Sequence, residues 1–275
     1  MLNELFDALM PTLAPFYVFG TTVWNMVMAL TGVTMSQTPD TFSKAAWGYV
    51  EFDIYPWMIS IGETFLVTSA MIGFLRQAGD LKRDITLEAL VDCGIKIVFA
   101  SALMISGIDI MRQFFRMAAG MSGLVLSETP VLFGQVDMDA GALLFYMVLG
   151  FLYFLIALIC SGMIFLAVYG RYLNLYLLVV SAPIAISTLP GGQGMSQTAY
   201  AWIRTFLGKT FEIVVIVLAI AISAKLCSAI DFGRLSGLAG LFDGAIQALQ
   251  NVCTMVLLTA AVKGADVFMK RTFAL

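Results

Sequence analysis

The 275-residue chain is 60% hydrophobic and 12% charged, about half the ~25% charge of a soluble globular protein, and its mean hydropathy of +0.93 excludes an ordinary soluble enzyme. A net charge of −3, dispersed along the sequence, excludes a basic stripe for sequence-specific nucleic-acid binding. Histidine is absent, which removes the usual imidazole ligand and general base, and Cys93, Cys160, Cys227 and Cys253 stand singly without zinc or redox spacing, so no metal, cofactor or catalytic set is expected.

Several uncharged runs exceed the ~20 residues needed to cross ~30 Å of hydrocarbon. They predict an all-α, polytopic membrane protein of about five full spans, a broken or re-entrant segment and an N-terminal interfacial helix. The chain then forms one integral membrane domain over 1–275, with an extracellular or interfacial region at 1–48 and a transmembrane core at 49–275. At the N-terminus Glu4 and Asp7 replace the positive charge of a signal peptide. Leu2, Leu5, Phe6, Leu9 and Leu13 recur at three- and four-residue steps, the pattern of a helix lying in the interface. The stretch 15–32 is long enough to span, yet Pro11, Pro15, Thr21, Thr22 and Asn25 favour a re-entrant or surface-lying helix.

The first span is expected over 54–74, with Tyr55 and Trp57 at its outer lip and Arg76, Lys82 and Arg83 on the cytoplasmic side. Glu63 stands near its middle, where an ionised carboxylate costs at least ~2.5 kcal/mol. It is either a pore-lining, ion-coupled carboxylate or a protonated side chain bonded to a neighbouring helix. Ser60, Thr64 and Thr68 adjoin it, and Ser69 with Gly73 forms a small-xxx-small pair, so this face is expected to meet protein. A second span covers 93–111, with Asp92 and Lys96 one turn apart on its inner approach and Asp109, Arg112 and Arg116 forming an interfacial cluster at its outer end. A polar external connection follows over 112–139.

Between Asp139 and Arg171 lie 31 uncharged residues, enough for a long tilted third span. In the next apolar segment Pro183 interrupts, and Pro190, Gly191 and Gly192 terminate. Spans at 206–226 and 244–262 complete the set. The last carries Gln247, Gln250, Asn251 and Thr254 at offsets of three, four and seven, one polar stripe that is either glue between helices or a wet pore wall. If the 172–190 segment crosses fully, more basic residues fall outside than inside. If it dips and returns to the cytoplasm, nine lie inside and five outside, as the positive-inside rule prefers. This places the N-terminus outside and the C-terminus in the cytoplasm, and requires a cavity or partner to shelter the irregular backbone.

The stretch from Gly170 to Ser223 resembles the central signature of the TrbL-like family of polytopic subunits of conjugal transfer and type IV secretion machines. The resembling features are Arg171 opening an apolar segment, the break Ser181-Ala182-Pro183-Ile184, the Gly191-Gly192 end, and Trp202 with Arg204 on the following helix. The resemblance covers about one fifth of the chain and implies a non-enzymatic homo-oligomeric subunit of the cell membrane. Its role would be as secretion channel or pilus-assembly platform, moving DNA, protein or pilin, with other secretion-system membrane subunits, transfer ATPases, pilin subunits and lipid as partners. The alternative is a secondary transporter with Glu63 as coupling carboxylate and the Pro183 to Pro190 segment as a substrate half-helix, though no second broken segment marks an inverted repeat.

Overall fold

The computed structural model describes residues 14–79, 87–126, 132–134, 140–192, 194–229 and 243–272. The expected interfacial helix at 2–13, Lys82, Arg83, Glu128, Asp137, Asp139 and Arg234 fall outside these. Among the described residues 94% are helical and none is in a strand.

Helix α1, Pro15–Met35, begins with proline at its first position, where the missing N–H costs nothing. Two short helices follow: α2, Pro39–Phe42, and α3, Lys44–Gly48. Thr38 and Thr41 cap α2 reciprocally, while the Ser43 hydroxyl accepts from Ala46 N and starts α3. A π-helical turn, Tyr49–Ile54, runs directly into α4, Tyr55–Gly79. Then come α5, Leu87–Leu126, α6, Ala140–Ile186, α7, Ser196–Ala229, and α8, Asp243–Thr272. Among the described residues six stretches are long and apolar enough to cross a membrane, a multi-pass architecture: Pro15–Met35, Lys44–Arg76, Val91–Val125, Tyr146–Ile186, Ser196–Cys227 and Gly244–Thr272.

Pro15–Met35 is one uninterrupted helix of spanning length, begun by Pro15, in which Thr21, Thr22 and Thr31 return their hydroxyls to carbonyls one turn back. Two elements differ from expectation. Residues 112–126, expected as external loop, continue α5, since Phe115, Ala118 and Ser122 keep helical spacing on a buried face. The third span and the segment beyond it are one 47-residue helix, with Pro183 inside and close to its end. The helix continues through the proline, where burial of Ala182, Ala185 and Ile186 offsets the lost i to i−4 bond. A 3-10 turn, Leu189–Gly191, then reverses the chain with Gly192 at φ 74° and Gly194 at φ 100°, a region open to glycine without steric cost.

The chain clusters into two compact units, each built from separated stretches. One comprises Met1–Ser36, Met121–Tyr169 and Ile213–Phe268; the other comprises Gln37–Gly120, Gly170–Glu212 and Met269–Leu275. In the first, Gly20 on α1 lets the helix backbone approach α6, where a Cβ would sit 3.1 Å from Phe154 Cα and the Tyr153 ring. Tyr17 stacks on Tyr146 at 4.0 Å between ring centroids, and Trp24 on Phe133 at 5.6 Å. Such pairs contribute about 0.5–1.5 kcal/mol beyond area burial. The Asn25 amide bonds both backbone groups of Phe133, each at 3.0 Å, and fixes the 132–134 strip on α1. In the second unit, Trp47, Tyr55, Leu66, Met104, Phe115, Leu175, Val179 and Phe206 share one apolar core. Across both units the best-buried positions include Ala100, Ala118, Ala157, Ala182, Ala199 and Ala248, all at 0% exposure, whereas leucines such as Leu75, Leu124 and Leu166 are more than 60% exposed. Alanines share the interior with bulky residues such as Leu175, Leu258 and Ile164, while many other bulky aliphatics face outward, as in helices packed within lipid, where tails solvate leucine as well as protein does.

Candidate functional site

In the second unit, α4 is the element against which the chain reversal is built. A Cβ on Gly62 would lie 3.0 Å from Pro183 O and 3.1 Å from Met104 Sδ, and one on Gly73 would overlap Pro190 O. Ser69, 1% exposed, donates to Ser187 O. The backbone at Pro183, Ser187, Pro190 and Gly191 is therefore covered by the chain's own α4, which supplies within the unit much of the shelter expected from a cavity or partner, while Gly192 stays half-buried.

The segment between Arg171 and Thr210 is a helical hairpin, tied at three levels. At its open end Arg171, 4% exposed, donates from Nε to Lys209 O at 3.4 Å and from Nη2 to Thr210 O at 3.2 Å. Its guanidinium also lies over the Tyr172 ring at 5.4 Å. Midway, Trp202 Nε1 donates to Leu178 O and Ser181 Oγ, both at 3.2 Å, while its ring stacks on Phe206. The glycine-rich reversal closes the far end. Lys209 pairs with Glu212 at 2.9 Å, and Arg171 Nη1 and Thr210 Oγ1 are buried without hydrogen-bond partners. Tyr172 and Tyr176 pin α2 to this hairpin through the carbonyls of Gln37 and Pro39, at 3.0 and 2.8 Å.

Glu63 does not take part. It is exposed together with Ser60, Thr64 and Thr68, and those three hydroxyls are returned to carbonyls of their own helix. The face expected to meet protein is thus split: Ser69 and Gly73 pack inside the chain, while the Glu63 stripe faces away from it. The outer cluster is also rearranged. Arg112 approaches Asp109 at 3.4 Å, but its closer partner is Glu51. Glu51 in turn accepts from Trp47 Nε1 at 2.6 Å, and Arg112 lies 5.6 Å from the centre of the Trp47 ring. Arg116 is exposed. Sequence reasoning missed Glu51, which the π-helical turn carries to α5; an acid beside the aromatic lip of a span was the available signal. Asp92 and Lys96 pair at 2.6 Å on an exposed face.

In the first unit, the four members of the polar stripe come together. Gln247, Gln250, Asn251 and Thr254 of α8, with Ala224 and Cys227 of α7 and Phe133, line a cavity of about 260 Å³. Thr254 Oγ1 is returned to Gln250 O at 2.8 Å, which leaves three carboxamides as the free polar groups that the described residues bring to the wall. Asn251 also faces the hydroxyls of Tyr17 and Tyr153. Thr21 bridges to Tyr153 at 3.2 Å, and Tyr146 donates to Gly244 O at 3.1 Å. Tyr17 Oη, surrounded by these groups, is buried without a hydrogen bond of normal geometry. Nothing in this arrangement is a nucleophile with an adjacent base, and among the described residues no three His, Cys, Asp or Glu side chains gather as a metal site.

No family model matches the chain, no curated protein is detectably similar to it, and no solved structure is detectably similar to it.

Proposed function

We propose that the protein is a non-enzymatic, membrane-embedded subunit of a conjugative type IV secretion machine that assembles with further copies of itself and serves as channel wall or pilus-assembly platform. The observation that carries this reading is the hairpin: of the residues on which the resemblance to the TrbL-like family rests, Arg171 and Trp202 tie its two arms, and Gly191 and Gly192 lie at its turn. Partner subunits, transfer ATPases and pilin belong to the same proposal.

The hairpin also supports the topology. Arg171 binds the backbone at Lys209, so the chain leaves and regains the same level between them, as the charge count with five full crossings requires. In this arrangement the C-terminus is cytoplasmic. Residues 1–43 contain no lysine or arginine, so the charge rule does not decide whether α1 crosses as well. Glu63 supports self-assembly over ion-coupled transport: Gly62, not Glu63, abuts Pro183, and a carboxylate on the outer face of an apolar helix calls for a neighbouring chain.

Deleting the gene in its host is expected to abolish transfer of a mobilisable element without slowing growth, with restoration by the intact chain. Undiminished transfer overturns the secretion reading. Gln197→Cys in intact cells is expected to resist an impermeant thiol reagent added outside, and labelling from outside overturns the hairpin topology.

A further inference from the structure

Two ionisable side chains of opposite sign stand on outward, apolar faces of the second unit. Glu63 of α4 is exposed beside Phe65 and Val67, and Arg204 of α7 is exposed beside Tyr200 and Ile203. Among the described residues, the ion pairs of this unit join Lys96 to Asp92, Arg112 to Glu51 and Asp109, and Lys209 to Glu212; neither Glu63 nor Arg204 enters one. Both belong to stretches apolar enough to span, so each charge bears the cost of facing hydrocarbon. Contacts within the unit set their relative depth. Gly62 meets Pro183 and Gly73 meets Pro190, so α4 runs in the direction of the last turns of α6. Trp202 bonds Leu178 O and Ser181 Oγ on the returning arm, so α7 runs the opposite way. Counted from these contacts at 1.5 Å per residue, the two Cα atoms differ in depth by about 10 Å. Helical side chains lean toward the N-terminus of their own helix. Because α4 and α7 are antiparallel, the carboxylate and the guanidinium lean toward a common level. Arg116, also exposed, stands one turn beyond Arg112, whose partner Glu51 is already a dozen residues, or about 18 Å, from Glu63.

We propose that Glu63 of one copy pairs with Arg204 of the next, and that this contact between α4 and α7 joins copies of the chain within the membrane. Copies in one bilayer keep a common depth, so charged groups meet between them only where their levels coincide. An arginine can reach lipid phosphate along its stem, whereas the shorter glutamate has no such escape, and a second copy relieves both charges at once. A guanidinium and a carboxylate also form the strongest kind of side-chain hydrogen bond. The inference rests on the self-assembly reading and names the contact behind it.

The test uses full-length copies carrying two different affinity tags, produced together, solubilised in mild detergent and purified through one tag. Native copies are expected to co-purify. Glu63→Arg copies among themselves, and Arg204→Glu copies among themselves, are expected to lose that signal at least tenfold, because like charges then meet. Glu63→Arg copies mixed with Arg204→Glu copies are expected to regain it, since every contact again joins opposite charges. Undiminished co-purification of both single variants overturns the pairing and leaves Arg204 to lipid phosphate. A loss that the mixture does not restore overturns it as well. Native copies that never co-purify overturn the self-assembly reading and the pairing with it, a result distinct from the other two. Should a swapped variant fail to fold, Arg204→Lys keeps the charge and adds a reactive amine. Isotope-labelled and unlabelled copies of that variant, assembled together and treated with a membrane-permeant carbodiimide, are expected to yield an amide between position 63 of one isotopic form and position 204 of the other. A link confined to single isotopic forms, or none, overturns the contact.

Discussion

The Gly73 Cα, pressed against the Pro190 carbonyl, is a position where a single methyl group decides whether α4 and the reversal can meet. Gly73→Ala is expected to lower stability by about 1–3 kcal/mol, the usual cost of overpacking. Gly94→Ala on α5, where a Cβ meets nothing within 4 Å, is expected to be neutral or to gain about 0.5–1 kcal/mol from reduced chain entropy. Thermal midpoints in one detergent compare the two. The Glu51–Arg112 pair gives a second prediction at this scale. Both side chains are about four-fifths buried and share the Trp47 side chain, so a double-mutant cycle with Glu51→Gln and Arg112→Gln should show coupling of about 0.5–3 kcal/mol. Arg116→Gln, on an exposed residue, should stay within about 0.5 kcal/mol. Of these residues the sequence displayed Gly73, through its spacing from Ser69, and Arg112. It did not display Glu51, because the partner lies 61 positions away and a π-turn shifts the register that would have revealed it.

At the scale of elements, what could be read from sequence was the presence of apolar helices; what could not was where one ended and which face packed. A lipid-exposed helix is apolar all round, so periodicity carries little information about its buried side. The useful marks were small residues and aromatic groups with polar ends: Ala182 and Ala199 are at 0% exposure, and Tyr172 and Trp202 bond across elements. Pro183 signals a break because proline interrupts most helices, yet α6 runs through it where Ala182, Ala185 and Ile186 are buried, a packing contribution that sequence does not display. The polar stripe was legible as a stripe, since period 3.6 survives in any environment; the cavity it lines was not, because Phe133, Ala224 and Cys227 carry no polar signal. For the hairpin, Trp202→Phe keeps the Phe206 stack and loses the two indole bonds, an expected loss of about 0.5–1.5 kcal/mol. Arg171→Met removes charge-assisted bonds to two carbonyls but also relieves a buried guanidinium nitrogen without a partner, so its cost should fall short of the sum of its bonds. Resistance of the 189–195 reversal to limited proteolysis reads both variants.

For the whole molecule, the Glu63 stripe is the feature that a single copy leaves unresolved in energy. An ionised carboxylate facing hydrocarbon costs at least ~2.5 kcal/mol, and more than one copy per assembly can remove that cost. Native mass spectrometry from detergent is expected to show an oligomer. Glu63→Gln, which keeps a hydrogen-bonding side chain, should preserve it, and Glu63→Leu should shift the population toward smaller species by removing the polar contact. A monomer in all three overturns the self-assembly reading.

Helix α6 has 47 residues, a rod of about 70 Å at 1.5 Å per residue. Fitting it inside ~30 Å of hydrocarbon needs a lean of about 65°, beyond the 0–40° that spanning helices take. A substantial length of this rod must therefore stand among headgroups or in water, although Arg171 is its one charged residue. Backbone amides in the two environments exchange with deuterium at different speeds, and a peptide-by-peptide ladder along α6 should show one abrupt step, marking where the oily layer stops.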